Sequence, residues 1–176
     1  AQRDAGLVSP WFESVEIFDG MEPTVPASLS YPCVAKPVTL SASRGVIRAN
    51  NQQELVAALA RISEIIVSAG PEHPRVCLIE EYISGSEYAV EGLLENGNWR
   101  TIAIFVKPQP LEGPFFEETI YIAPPRLEPG IEQEMVDTVR AACAVYGLEH
   151  GPVHAECRIN ERGVWLIELA PRIIGG

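Results

Sequence analysis

Lysine is nearly missing from this sequence: Lys36 and Lys107 are its two examples, and arginine supplies the other basic residues. Thirteen basic residues stand against 24 acidic ones, a net charge of −11. A chain so short of positive charge lacks the basic face of a general nucleic-acid binder. It has no overall field to hold a polyphosphate either, so local groups and a metal would have to do so. No apolar run approaches membrane-spanning length, and no basic-then-apolar leader is visible. Cys33, Cys77, Cys143 and Cys157 stand singly in apolar surroundings, without metal-ligand spacing or a dense disulfide pattern. Free buried thiols in a reducing cytoplasm are the expectation. Repeats and low-complexity tracts are also missing. What remains is a 176-residue chain, 47% hydrophobic, which can bury a real core as one domain or two small lobes. It lacks an initial methionine and stops at Gly175 and Gly176, directly after its richest motif, which suggests a piece of a longer protein.

Residues 1–30 are rich in proline and acid and are expected to wrap an edge. Residues 31–36 read as a short buried strand ending at Lys36, followed by a small-residue loop at 41–45 and a second strand at 46–49. Asn51 and Glu54 have the spacing of a capping box. Leu55, Ala58, Leu59, Ile62, Ile65 and Ile66 then mark one face of a helix that stops near Gly70. The pattern changes to strands at 76–82, 87–95, 99–106 and 116–122, with Asn96-Gly97 as a hairpin turn. A second amphipathic helix spans 131–146, with Met135, Val139, Ala142 and Cys143 inward and Gly147 as its stop. The expected class is α+β, with mainly antiparallel sheets and helices packed on them.

The closing stretch, from His154 onward, reads as a hairpin with a three-residue loop at Glu161, Arg162 and Gly163. That register pairs Asn160 with Val164 and sets Glu156 opposite Glu168. His154, Glu156, Arg158, Leu166, Glu168 and Ala170 then share one face, while Ala155, Cys157, Ile159, Trp165, Ile167 and Leu169 form the core face. Like charges directly opposite each other destabilise a sheet unless something positive lies between them. A divalent cation shared with substrate phosphates suits that place.

Other groups are less specific. Lys36 ends a strand beside a loop carrying Ser43 and Arg44, so it could reach phosphate oxygens or simply be an exposed strand-end lysine. Glu80, Glu81, Ile83 and Glu87 surround a glycine-containing turn that could meet a purine edge and a ribose, or could be solvated acids at a strand end. Arg172 could stabilise developing negative charge or pair with a glutamate. His154, Glu118 and Lys107 are weak substrate-contact candidates.

The order of these pieces resembles the ATP-grasp ligase superfamily over nearly the whole chain. The order runs from Lys36-Pro37 and a small-residue loop through a helix, Glu80-Glu81-Tyr82-Ile83 and Glu87 to antiparallel strands, a helix and the Glu156/Glu168 hairpin with Arg172. The layout is similar to biotin carboxylase, D-alanine–D-alanine ligase and the L-amino-acid ligases. The resemblance implies two α+β lobes gripping ATP, with 1–30 as linker or edge, 31–83 as the smaller lobe and 84–176 as the larger one. It implies that Lys36 and the flap around Ser43 take the phosphates. Glu80 would take the adenine amine, Glu81 and Ile83 would offer backbone contacts, and Glu87 would hold ribose. Glu156 and Glu168 would bind magnesium, or manganese in its place, and Arg172 would stabilise an acyl phosphate. Where many members carry asparagine two residues beyond the second glutamate, this chain has Ala170. The implied activity is amide or peptide bond formation from a carboxylate and an amine, with ADP release. A biotin-carboxylase-like module and a non-catalytic nucleotide-binding grasp domain are the alternatives. The resemblance further implies a missing amino-terminal part, small-molecule substrates, no nucleic-acid or membrane partner, and a fragment inactive alone; self-association stays open.

Overall fold

Two antiparallel sheets, each with a helix packed on it, make up the computed structural model, which describes residues 6–17, 23–26, 28–109, 111–116 and 120–175. They fall into two compact units: residues 10–82 with 111–117, and residues 1–9 with 83–110 and 118–176.

The first unit holds β1 (Phe12–Glu16), β2 (Cys33–Pro37), β3 (Ile47–Ala49), α1 (Gln52–Ala69) and β4 (Val76–Glu81), with strand order β1-β4-β2-β3. The α1 start follows the expected chemistry with one change. Asn51 Oδ1 accepts from the Glu54 amide at 2.9 Å, but the Glu54 carboxylate reaches back one residue further, to the Asn50 amide at 2.9 Å. Leu55, Ala58, Leu59, Ile62 and Ile66 are buried against the sheet, and Ile65 is half-buried. The facing sheet residues Cys33, Ala35, Ala49 and Cys77 are small, so α1 can sit close. Each buried Leu or Ile there contributes roughly 1.5–3 kcal/mol.

The strand expected over 116–122 does not form among the described residues. Phe115 bridges Ile47 in the first unit, whereas Ile122 bridges Val106 in the second. Prolines flank the stretch at Pro114, Pro124 and Pro125, and a proline cannot donate to a ladder. Residues 111–116 are instead held to β3: the Arg48 amide donates to the Pro114 carbonyl at 2.9 Å and Arg48 Nη1 to the Glu112 carbonyl at 2.7 Å.

The second unit holds β5 (Ser86–Glu95), β6 (Asn98–Lys107), α2 (Ile131–Val145), β7 (Gly151–Asn160) and β8 (Gly163–Ala170), with strand order β6-β5-β7-β8. Asn96 and Gly97 both have positive φ, 51° and 74°, as a two-residue hairpin turn of this hand requires. Met135, Val139, Ala142 and Cys143 of α2 pack on Val90, Val153, Ala155, Cys157 and Leu166. All four cysteines are free and buried.

The closing hairpin corrects the expected register in one half. Asn160 pairs with Gly163 across a two-residue turn, so Arg158 faces Trp165 and Cys157 faces Leu166. A bulge at Ile167 then adds one residue, and Glu156 returns opposite Glu168. Leu166 therefore joins the core beneath α2, while Trp165 moves to the charged face. Asn160 Oδ1 accepts from both the Arg162 amide, at 2.9 Å, and Trp165 Nε1, at 3.2 Å. The Arg162 guanidinium lies 4.3 Å from the centre of the Trp165 indole. These contacts, with the leucine preferring the core, favour the shorter turn.

Candidate functional site

The face of the second sheet away from α2 carries charge, because Lys107 of β6, Glu87 and Glu91 of β5, and His154, Glu156 and Arg158 of β7 share it. Lys107 of β6, Glu87 of β5 and Arg158 of β7 form one cross-strand row. Phe105, Ala89, Glu156 and Glu168 form the next, and Ala103, Glu91, His154 and Ala170 the third.

The charges alternate through space as well. Arg158 Nε donates to Glu87 Oε2 at 2.8 Å, and Lys107 Nζ donates to Glu87 Oε1 at 2.6 Å and to Glu156 Oε1 at 2.8 Å. His154 Nε2 lies 3.4 Å from Glu156 Oε1, and its Nδ1 bonds to Glu91 Oε1. Glu87, Glu91, Lys107, His154 and Arg158 are each under 10% exposed. Burying so many ions is tolerable only with full pairing, and among the described residues no buried side-chain nitrogen or oxygen lacks a partner.

The pairing sets the protonation states. Burial works against a charged Glu156, but bonds from His154 and Lys107 outweigh it and bring its carboxyl down to about 2. Burial likewise opposes a charged His154, yet its bonds to Glu156 and Glu91 carry the imidazole up to about 9. At neutral pH, then, Glu156 is an anion and His154 a cation. The Cys157 thiol beside them is pushed up to about 12 by burial and stays protonated.

The expected site residues divide between the two units. In the first, Lys36 Nζ lies 2.7 Å from Glu80 Oε2, so the two form an ion pair on the sheet face away from α1. Ser43 sits in a tight turn: Ala42 and Ser43 have φ of 56° and 53°, and the Arg44 amide donates to the Ser41 carbonyl at 3.3 Å. The Glu81 amide donates to the Trp11 carbonyl at 3.0 Å. In the second unit, the Ile83 carbonyl accepts from Arg158 Nη1 at 2.6 Å. Both oxygens of Glu87, assigned to ribose by the resemblance, are engaged by Lys107 and Arg158. Both ring nitrogens of His154 face carboxylates, which makes it part of the network rather than an open substrate contact. Lys107 is likewise buried between two glutamates. Glu168 is half-exposed, with Arg172 Nη2 at 3.5 Å. Glu118 lies outside the described residues.

Sequence reading placed Arg158 on the face of the acidic pair without giving it a role, and it missed Glu91 altogether. The signal was present: Glu87 and Glu91, four apart on β5, and His154, Glu156 and Arg158, at alternate positions on β7, each fall on one face of a strand that is otherwise mostly apolar.

The ATP-grasp domain family matches residues 29–176. The chain belongs to the ATP-grasp family. Carnosine synthase 1 from Gallus gallus is 27% identical over 156 residues, 84% of this chain and 16% of its own length. Dapdiamide A synthase from Enterobacter agglomerans is 27% identical over 148 residues, 83% of this chain and 34% of its own. The crystal structure of an L-amino acid ligase from Bacillus licheniformis superposes with a TM-score of 0.78 at 31% identity, over 99% of this chain and 39% of that one. The fold is shared with biotin carboxylase from Campylobacter jejuni, at a TM-score of 0.75 and 17% identity over 98% of this chain and 39% of that one. This ATP-grasp chain thus spans well under half the length of each of these relatives.

The residues present fit the magnesium that the fold family implies. Glu156 is held ionised, Glu168 lies directly opposite it and half-exposed, and both are hard oxygen donors. Among the described residues no cluster of three or more His, Cys, Asp or Glu could hold a metal. Two carboxylates with substrate phosphates and water are the donor set magnesium commonly takes. His154, protonated between two carboxylates, is no ligand for it.

Proposed function

We propose that this chain is the nucleotide-handling part of an ATP-dependent carboxylate–amine ligase. The carrying observation is the Glu156/Glu168 pair: two carboxylates directly opposite on a sheet face, one held ionised by Lys107 and His154. The names of its relatives, a carnosine synthase, a dapdiamide synthase and an L-amino acid ligase, support amide formation as the chemistry.

In this reading a substrate carboxylate oxygen attacks the terminal phosphorus of ATP, and the bond to the bridging oxygen breaks to leave ADP. An amine then attacks the acyl carbonyl and inorganic phosphate departs, its proton lost to solvent. Glu156 and Glu168 would hold the metal, which when bound neutralises phosphate charge. Arg172, half-exposed beside Glu168, is placed to steady the acyl-phosphate oxygens. Lys107 and His154 keep Glu156 charged and oriented. Within the first unit, the Lys36–Glu80 pair fixes an ammonium on a rigid strand, suited to nucleotide phosphate, and the turn around Ser43 is assigned as the flap over that phosphate. Glu81 and Ile83 are assigned to nucleobase contacts through their backbones, and Glu87 to ordering the cations around it.

The test is calorimetric titration of ATP with and without magnesium on the full-length protein and its Glu168→Gln variant. The variant is expected to weaken magnesium-dependent binding about tenfold or more and to abolish ADP release. Unchanged binding and release in Glu168→Gln would remove Glu168 from the metal site. ADP release in wild type that requires an added amino acid separates the ligase from a bicarbonate-activating or sensing domain.

A further inference from the structure

We propose that Glu91 is a positioning residue for this site, dividing its two carboxylate oxygens between the strand that carries Glu156 and the tail that carries Arg172. The proposal rests on the roles given above to those two residues.

Glu91 lies on β5 directly opposite His154 and is almost fully buried. Its Oε1 bonds to His154 Nδ1, which leaves the other ring nitrogen facing Glu156. Its Oε2 accepts from the Ile174 amide at 3.1 Å. That second bond matters because of where it falls. Residues 171–173 and 175 are exposed, and among the described residues the other bonds of the tail stay within four positions: the Arg172 amide to the Ala170 carbonyl at 2.9 Å, Arg172 Nη1 to the Ile173 carbonyl at 2.9 Å and Arg172 Nη2 to Glu168 at 3.5 Å. The Ile174–Glu91 bond ties this exposed segment to a buried side chain of the central strand β5, two residues beyond Arg172.

The residue type follows from the two tasks. A carboxylate offers two acceptor oxygens and no donor, whereas an amide of the same shape offers one acceptor and an NH2 group. Glutamine at 91 has a single acceptor oxygen, so it could not give a protonated Nδ1 and the tail amide an oxygen each, as the carboxylate does. A charged acceptor also makes the shorter, stronger bond to a backbone N–H. Removing the Ile174 amide by proline would break the tail side alone and leave the Glu91–His154 pair in place.

The experiment uses full-length protein, magnesium-ATP and a pool of the standard amino acids, with ADP release as the rate. Glu91→Gln and Ile174→Pro are each expected to lower kcat about tenfold or more while KM for ATP stays within about twofold, the pattern of a misplaced catalytic group. The double variant is expected to be no slower than the worse single one, since both break one linkage. Hydrogen exchange at the Ile174 amide should quicken in Glu91→Gln. Wild-type kcat in Ile174→Pro, losses that multiply in the double variant, or unaltered Ile174 exchange in Glu91→Gln would each overturn the proposal. Should wild type release no ADP with the pool, the ligase reading falls, and Ile174 exchange still decides whether Glu91 anchors the tail.

Discussion

Lys107 Nζ reaches Glu156 Oε1, at 2.8 Å, although their strands β6 and β7 are not neighbours. The central strand β5 lies between them, and Ala89, the β5 residue paired with Glu156, is small enough to leave that path open. The ammonium thus closes a gap between two carboxylates that would otherwise repel each other in a buried place.

Removing it should be costly. Lys107→Ala leaves Glu87 and Glu156 without their shared cation, and breaking a buried ion pair from one side typically costs about 3–5 kcal/mol. Denaturant unfolding of wild type and variant at pH 7 would measure it. A loss below about 1 kcal/mol, the range of surface pairs, would mean that Lys107 is not the cation that keeps the two glutamates compatible.

Stability should also fall away on both sides of a plateau. The raised His154 contributes in full below its ordinary value of 6.5 and loses that contribution as pH climbs through about 9. The lowered Glu156 contributes above its ordinary 4.5 and loses that as pH falls through about 2. The plateau therefore lies at roughly pH 5 to 6.5. His154→Gln should flatten the alkaline limb in a series of denaturation midpoints; a wild-type midpoint that holds steady from pH 6 to 10 would contradict this account.

Gly92 makes room for an aromatic ring. A Cβ there would stand 2.1 Å from Trp99 Cζ2 and 2.2 Å from Cη2, so Gly92→Ala must displace the indole from its bond to Thr101. Overpacking of this kind costs about 1–3 kcal/mol. Pairing it with Trp99→Leu should recover part of the loss, and a double-mutant cycle showing no coupling would mean that the ring is free to move aside.

Much of this fold was legible in the sequence because its signals are local. The α1 cap at Asn51, the Asn96-Gly97 turn and the inward stripe of α2 each depend on residues a few positions apart, and each appears as read. Glu156 opposite Glu168 was legible for a less secure reason: the turn is one residue shorter than expected and the bulge at Ile167 restores the count. Trp165 and Leu166, lying between those two irregularities, exchange faces. The ion network was the hardest to read. Glu87, Glu91, Lys107, His154 and Arg158 come together through strand pairings up to 71 residues apart, and no spacing along the chain records which cation meets which carboxylate. Residues 116–122 misled because aromatic and β-branched residues suggest a strand, whereas prolines bound the stretch and among the described residues there are bridges only at Phe115 and Ile122.

The bulge at Ile167 has a consequence for how this hairpin can vary. It separates a tip, from Cys157 and Leu166 outward, from a base that carries Glu156 and Glu168. Either half can keep its own count. Sliding the tip by one residue would trade Trp165 for Leu166 under α2 and leave the two glutamates where they are. Insertions, deletions and loop exchanges around Glu161 and Arg162 can accordingly accumulate in the tip without reaching the acidic pair.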